Sequence, residues 1–252
     1  MSRILLLGGT AEAGALARLL AGAGMDAVYS YAGRTARPAA QPLQTRIGGF
    51  GGATGLADYL RAHRIGRIID ATHPFAARIS RNAIDAASQT GVPILSLQRP
   101  AWEAEAGDDW HRVPDLAAAA VALPDRPAHV FLALGRQHLQ AFAGMPHRWL
   151  LRLVDPPAGP LPLPGAHAVV ARGPFTPADD QALLSAHGIT HVIARDAGGD
   201  GARAKLVAAR RLRLPVILID RPVVPVRRIV ATPEDAMRWL HQTPAALALR
   251  GV

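Results

Sequence analysis

The sequence contains no cysteine. That excludes thiolate catalysis, iron–sulfur clusters, cysteine-ligated zinc and disulfides. Lysine is almost missing too: of 28 basic residues only Lys205 is a lysine, leaving 27 arginines. Aromatic residues make up 5% of the chain, and no basic run is interleaved with them, so a stacking platform for single-stranded nucleic acid is not expected. Apolar runs are short. Stretches such as Ile4 to Leu7 and Val216 to Ile219 fall far below the roughly 20 residues that cross a bilayer. The N-terminal apolar run passes straight into glycines, without the longer apolar stretch or cleavage site of a signal peptide. These absences predict a cytoplasmic protein with neither membrane nor nucleic acid as partner. Acidic residues are also short, 19 against 28 basic, a formal net charge of +9. A surplus of that sign suits a polyanionic ligand such as a phosphorylated cofactor or a carboxylate-rich small molecule.

What is present is a 252-residue chain, half of it hydrophobic, long enough for one to two domains. Short Ile/Leu/Val runs alternate with Ala-rich stretches of helical period, the pattern of β-α units around parallel sheets. Strands are predicted near 3–7, 27–32, 44–47, 67–71 and 93–97, with helices near 12–23, 53–63 and 75–90. Prolines and Gly107 then break the pattern between Trp102 and Pro127, around one short helix after Asp115. A second set of strands is predicted near 128–134, 149–153, 167–171, 191–194 and 215–219, with helices near 136–143, 177–187, 202–212 and 233–242. Two α/β lobes follow, with a boundary placed at 114/115, so that the domains are 1–114 and 115–252.

The first strand runs into Gly8-Gly9-Thr10-Ala11-Glu12 and then a helix. Glycines there let a phosphate approach the backbone, and the helix N-terminus supplies N–H donors. The spacing is not G-x-G-x-x-G, and a tight turn without a ligand has the same sequence. The end of the second strand reads Tyr29-Ser30-Tyr31-Ala32-Gly33-Arg34-Thr35, with no carboxylate after Asp26. Hydroxyls and an arginine there favour the 2'-phosphate of NADP over the bare ribose of NAD, although a solvated loop arginine is the competing reading. The third strand leads into Arg46-Ile47-Gly48-Gly49-Phe50-Gly51-Gly52, a loop flexible enough to fold over a cofactor. The fourth leads into Thr72-His73-Pro74-Phe75, where His73 either lines a nicotinamide or acts as an acid, or Thr72 and His73 only cap the next helix.

In the second lobe three predicted strand ends deliver arginines, Arg136, Arg172 (followed by Gly173) and Arg195. Together they suggest a site for several carboxylates, because guanidinium binds each in a fork. Lys205 stands apart because an ammonium is compact and releases a proton more readily, although a lone lysine arising by chance is the competing reading. His187 and His191 do not share a helix face, so no metal is assigned, and no G-x-S-x-G supports a hydrolase triad.

The series GGTAEA (8–13), YAGR (31–34), GGFGG (48–52), DATHPFAARISRNA (70–83), RPAW (99–102), GRQ (135–137), ARGPF (171–175), ARDAGG (194–199) and PVILIDRP (215–222) resembles the precorrin-6A reductases of cobalamin biosynthesis. One departure is Arg195, where lysine is expected. The resemblance implies an α/β fold of two Rossmann-like lobes, each a mainly parallel sheet flanked by helices, with the active site in the cleft between them. It also implies NADPH-dependent reduction of one macrocycle double bond, hydride passing to C19 and a proton to C18. Its substrate is a tetrapyrrole rich in carboxylates, and the enzyme is a monomer or small homo-oligomer. The cofactor residues then expected are Gly8, Gly9, Thr10, Glu12, Ser30, Gly33, Arg34, Gly49, Thr72, His73, Pro74 and Phe75. Arg136, Arg172, Gly173, Arg195 and Lys205 are expected at the substrate, with Lys205 and His73 as catalytic candidates. A non-catalytic NADPH-binding sensor is the alternative.

Overall fold

The structure is a computed structural model describing residues 2–33, 39–157 and 159–242. In chain order it opens with β1 (Arg3–Leu7), α1 (Ala11–Gly22), β2 (Ala27–Tyr31), β3 (Gln44–Ile47) and α2 (Gly52–Ala62). Next come β4 (Ile65–Asp70), α3 (Ala77–Thr90), β5 (Ile94–Leu97), β6 (Trp110–Val113) and α4 (Leu116–Val121). They are followed by β7 (His129–Ala133), a 3₁₀ helix (Arg136–Phe142), β8 (Arg148–Leu153), β9 (His167–Val170) and α5 (Pro177–Ala186). The chain ends with β10 (His191–Arg195), a short 3₁₀ turn (Asp200–Ala202), α6 (Ala204–Leu212), β11 (Val216–Ile219), β12 (Ile229–Val230) and α7 (Pro233–Leu240).

These elements form two compact units, 1–100 together with 223–252, and 101–222. In the first, six parallel strands lie in the order β12-β5-β4-β1-β2-β3. The order runs outward in both directions from the β1/β4 pair, and that point of reversal is where open α/β sheets bind ligands. β1 is apolar from Ile4 to Leu7 because both of its faces are covered there. Ile4 and Leu6 join Leu16 and Leu20 of α1 and Trp239 of α7, while Leu5 and Leu7 join Leu56 and Leu60 of α2 and Ala83 and Ala86 of α3.

The second unit repeats the scheme with the order β6-β11-β10-β7-β8-β9, again all parallel. Its reversal point is the β7/β10 pair. Phe131, Val192 and Leu218 pack with Leu184 of α5 and Leu206 of α6 on one face.

The predicted strands and helices are all present, to within a few residues at their ends. Residues 136–142 are helical but wound as a 3₁₀ helix. Two strands lacked a sequence signal. β6 reads WHRV with two exposed positions, and β12 is two residues long. Both are edge strands, and both move the boundary. β6 pairs with β11, which carries residues 101–114 into the second unit. β12 pairs with β5 through Ile229 and Val230, and α7 packs on α1, which returns the C-terminal segment to the first unit. The division by contacts therefore falls at 100/101 and 222/223 rather than at 114/115.

Candidate functional site

At the reversal point of the first sheet, the ends of β1 and β4 are tied together. Thr10 caps α1, its Oγ1 accepting the Ala13 N–H (3.1 Å) and donating to the Ala71 carbonyl (2.9 Å). The Ala71 N–H in turn donates to the Leu7 carbonyl at 2.9 Å. Tyr29, buried under this turn, accepts the Gly9 N–H on its hydroxyl (3.0 Å). Burial pushes the Tyr29 phenol up to about 12. A Cβ at Gly8 would lie 2.1 Å from the Tyr29 ring, so only glycine fits there. Gly9 differs. A Cβ built on it meets nothing within 4 Å, but its φ of +124° is one that residues with side chains rarely adopt. The Gly9 backbone thus borders open space at the start of α1, the cradle a pyrophosphate requires.

On β4, Asp70 is 2% exposed. Its Oδ1 accepts the Thr72 N–H (3.1 Å) and the Thr72 hydroxyl (2.7 Å). His73 accepts the Phe75 N–H on Nδ1 (3.2 Å), which leaves Nε2 as the protonated nitrogen of the neutral ring. The two rings lie 5.9 Å apart. Pro74 and Phe75 complete the turn before α3. Glu12, in the first turn of α1, pairs with Arg99 at 3.0 Å, which offsets the carboxylate's negative charge beside the glycine turn.

At the outer ends of β2 and β3, Ser30 is buried and lies in register with Arg46. The Arg46 guanidinium donates to the Ser30 hydroxyl (2.9 Å) and to the carbonyls of Gly48 (2.9 Å) and Gly49 (3.0 Å), and lies 3.8 Å from the centre of the Phe50 ring. The glycine loop expected to be flexible is therefore held by its own arginine. Gly33, at φ +75°, continues β2 beside it. Arg34 lies outside the described residues.

In the second unit, parallel pairing brings the strand-end arginines to one edge. Arg136 opens the 3₁₀ helix after β7, and Arg195 closes the neighbouring β10, its Nη1 lying 3.2 Å from His138 Nε2. Arg172 follows β9, two strands away from β7, and pairs with Asp155 at 2.7 Å in an exposed position; Gly173 comes next. Lys205 is buried on α6. Its ammonium donates to the Ala202 carbonyl and sits 5.2 Å from the centre of the Trp102 ring. Trp102 Nε1 donates to the Gly199 carbonyl at 2.7 Å. Behind it Asp196 is fully buried, accepting the Trp102 N–H (3.1 Å) and Arg112 (2.8 Å). Burial works against the Arg112 charge, but Asp196 and Asp220 outweigh it and raise the guanidinium above its ordinary range. Among the described residues no group of three or more histidines and carboxylates is placed to hold a metal ion, and no helix is long and apolar enough to cross a membrane.

The family model for precorrin-6x reductase CbiJ/CobK matches residues 3–241. The chain belongs to this family. It is 62% identical, over 95% of its length and 96% of the relative's, to the precorrin-6A reductase of Rhodobacter capsulatus. It is 31% identical, over 94% and 97% of the two chains, to the cobalt-precorrin-6A reductase of Priestia megaterium. A solved structure of CobK precorrin-6A reductase superimposes with a TM-score of 0.92 at 60% identity, covering both chains completely.

Within the family fold, the expected residues fall into groups. Gly8, Gly9, Thr10 and Glu12 gather at the end of β1, Thr72 to Phe75 beside them at the end of β4, and Ser30, Gly33 and Gly49 around the ends of β2 and β3. Four side chains of these surroundings were not singled out from the sequence. Asp70 and Asp196 each stand at or just after the end of an apolar strand, an acidic punctuation that was a usable signal. Tyr29 reads as a core residue of β2, and only the packing reveals its bond to Gly9. Arg46 reads as the start of a loop, and only the folded chain supplies the partners that give it a role.

Proposed function

We propose that this protein reduces precorrin-6A to precorrin-6B in cobalamin biosynthesis, with NADPH as the reductant. The observation that carries the reading is the family match along almost the whole chain. The much higher identity to the metal-free precorrin-6A reductase than to the cobalt-precorrin relative favours the metal-free substrate. NADPH, when bound, supplies the hydride. The open space over Gly9 and the donors at the start of α1 fit its pyrophosphate.

In this reading Gly8, Gly9 and Thr10 bind the pyrophosphate, and Glu12 acts through its pair with Arg99. Ser30, Gly33, Arg34 and Gly49 surround the phosphorylated ribose. Thr72, His73, Pro74 and Phe75 line the nicotinamide side, where His73 holds its proton on Nε2. Arg136, Arg172, Gly173 and Arg195 bind the acetate and propionate side chains of the macrocycle. Lys205, bonded to the Ala202 carbonyl over Trp102, holds the macrocycle or delivers a proton to it. Catalysis is then mainly positioning of two bound partners.

The test is oxidation of NADPH by purified protein on addition of precorrin-6A. Stoichiometric conversion to precorrin-6B is expected. NADPH binding without turnover of authentic substrate would overturn the enzyme assignment and favour a sensor. Conversion of only the cobalt-bearing substrate would overturn the metal-free assignment.

A further inference from the structure

We propose that Arg46, rather than Arg34 alone, reads the 2'-phosphate of the dinucleotide, and does so through one preset edge of its guanidinium. The proposal deepens the NADPH reading and rests on it. Arg46 lies on β3, in register with Ser30 on β2, at the carboxyl edge of the sheet. That is the position beyond the second strand where dinucleotide folds distinguish a free ribose hydroxyl from a phosphorylated one.

A guanidinium has five N–H donors. Two on Nη1 go to the Ser30 hydroxyl and the Gly48 carbonyl, and one on Nη2 goes to the next carbonyl, Gly49. Bonds to successive carbonyls from the two terminal nitrogens use the end of the fork. The donors left are Nε–H and the second Nη2–H, which lie side by side on the other edge. That pair matches two oxygens of a phosphate.

The side chain is also held in place. The Phe50 ring lies 3.8 Å from its guanidinium carbon and the Tyr59 ring 5.2 Å. Among the described residues no carboxylate forms an ion pair with it. Its charge is fixed, stacked and not neutralised, at the edge where the expected ligand carries two negative charges more than NAD would. An arginine needed only to close the loop on Gly48 and Gly49 would not have to reach Ser30 as well.

The experiment measures binding of 2',5'-ADP and of ADP to the full chain by calorimetry, for the wild type, Arg46→Gln and Arg46→Lys. The wild type is expected to prefer 2',5'-ADP. Arg46→Gln should weaken 2',5'-ADP by roughly 10- to 100-fold and leave ADP within about threefold, as the loss of a charge-assisted bond predicts. Arg46→Lys, which keeps the charge but not the fork, should fall between them. Equal losses for both nucleotides would overturn the proposal and leave Arg46 a loop support. A full preference for 2',5'-ADP retained in both variants would overturn it too, while leaving the NADPH reading standing. A wild type that binds the two nucleotides equally would overturn the NADPH reading itself.

Discussion

Two neighbouring glycines have different reasons to be glycine, and the difference is testable. At Gly8 a methyl would enter the Tyr29 ring, and at Gly9 it would meet only open space but at a strained φ. Gly8→Ala is expected to lower stability by about 1–3 kcal/mol through overpacking, read as a fall in melting temperature. Gly9→Ala should also cost about 1–3 kcal/mol, through backbone strain rather than a clash, and in the proposed reading it weakens NADPH binding as well, because its methyl occupies the open side of the turn. NADPH affinity unchanged in Gly9→Ala would contradict this division. Tyr29 gives a pH prediction. Its phenol ionises near 12 in the fold against about 10 in the unfolded chain. Above pH 10 the unfolded state therefore releases its proton first, and stability falls as the pH rises through that interval. Tyr29→Phe should flatten the loss between pH 10 and 12. The same variant should be less stable at neutral pH, because the Gly9 N–H loses its acceptor. At the opposite edge of the second sheet, His147 accepts the Ala128 N–H, and burial lowers its affinity for a proton. Its stabilising contribution is present above the unfolded value near 6.5 and is lost as the pH falls through it. Melting curves at pH 7.5 and 5.5 should show a smaller drop for His147→Asn than for the wild type.

At the scale of elements, one hydroxyl adds a cross-link between the two strand ends that carry the candidate site, beside the backbone bond from Ala71 to Leu7. Thr10 caps α1 and bonds across to the loop after β4, so Thr10→Ala removes two bonds at once. A loss of about 1–2 kcal/mol is expected from the cap alone, and NADPH affinity should fall with it. Thr10→Ser, which keeps the hydroxyl, should recover both. In the second unit the corresponding support is Asp196, which holds the Trp102 backbone and Arg112 below the glycine loop. The apolar period made these strands and helices legible, since β1, β4, β7 and β10 each carry a run buried on both faces, Ile4–Leu7, Ile68–Ile69, Val130–Leu132 and Val192–Ala194, and such runs must be apolar. The partners of Tyr29, Thr10 and Asp196 were not legible, because each bond joins residues 20 to 94 positions apart.

At the scale of the whole molecule, the chain leaves one unit and returns to it. The second unit, 101–222, is an insertion between β5 and β12 of the first. Ending the chain at Pro222 would uncover the core that Ala236 and Trp239 complete against α1. Calorimetry of that truncated chain should show the first unit destabilised or unfolded and the second still melting cooperatively. Loss of both transitions, or retention of the first, would contradict the assignment. The arginine surplus also takes a distribution at this scale. Several arginines are matched internally, as Arg99 is by Glu12 and Arg112 by Asp196 and Asp220. The net charge alone therefore could not say which arginines face a ligand.

By itself the sequence determined the class of the fold, the place of nearly every strand and helix, and the glycine turn, because burial period and turn chemistry are local properties. The ordered motifs also carried the resemblance to the family. Tertiary structure alone decided the strand orders, hence which loops meet at each reversal point, and it decided the return of β12 and α7 to the first sheet. It also separated the roles of Gly8 and Gly9 and gave Arg46 its partners. Those outcomes depend on pairing between distant segments, where two exposed edge strands and one arginine look like any other until the sheet that selects them has formed.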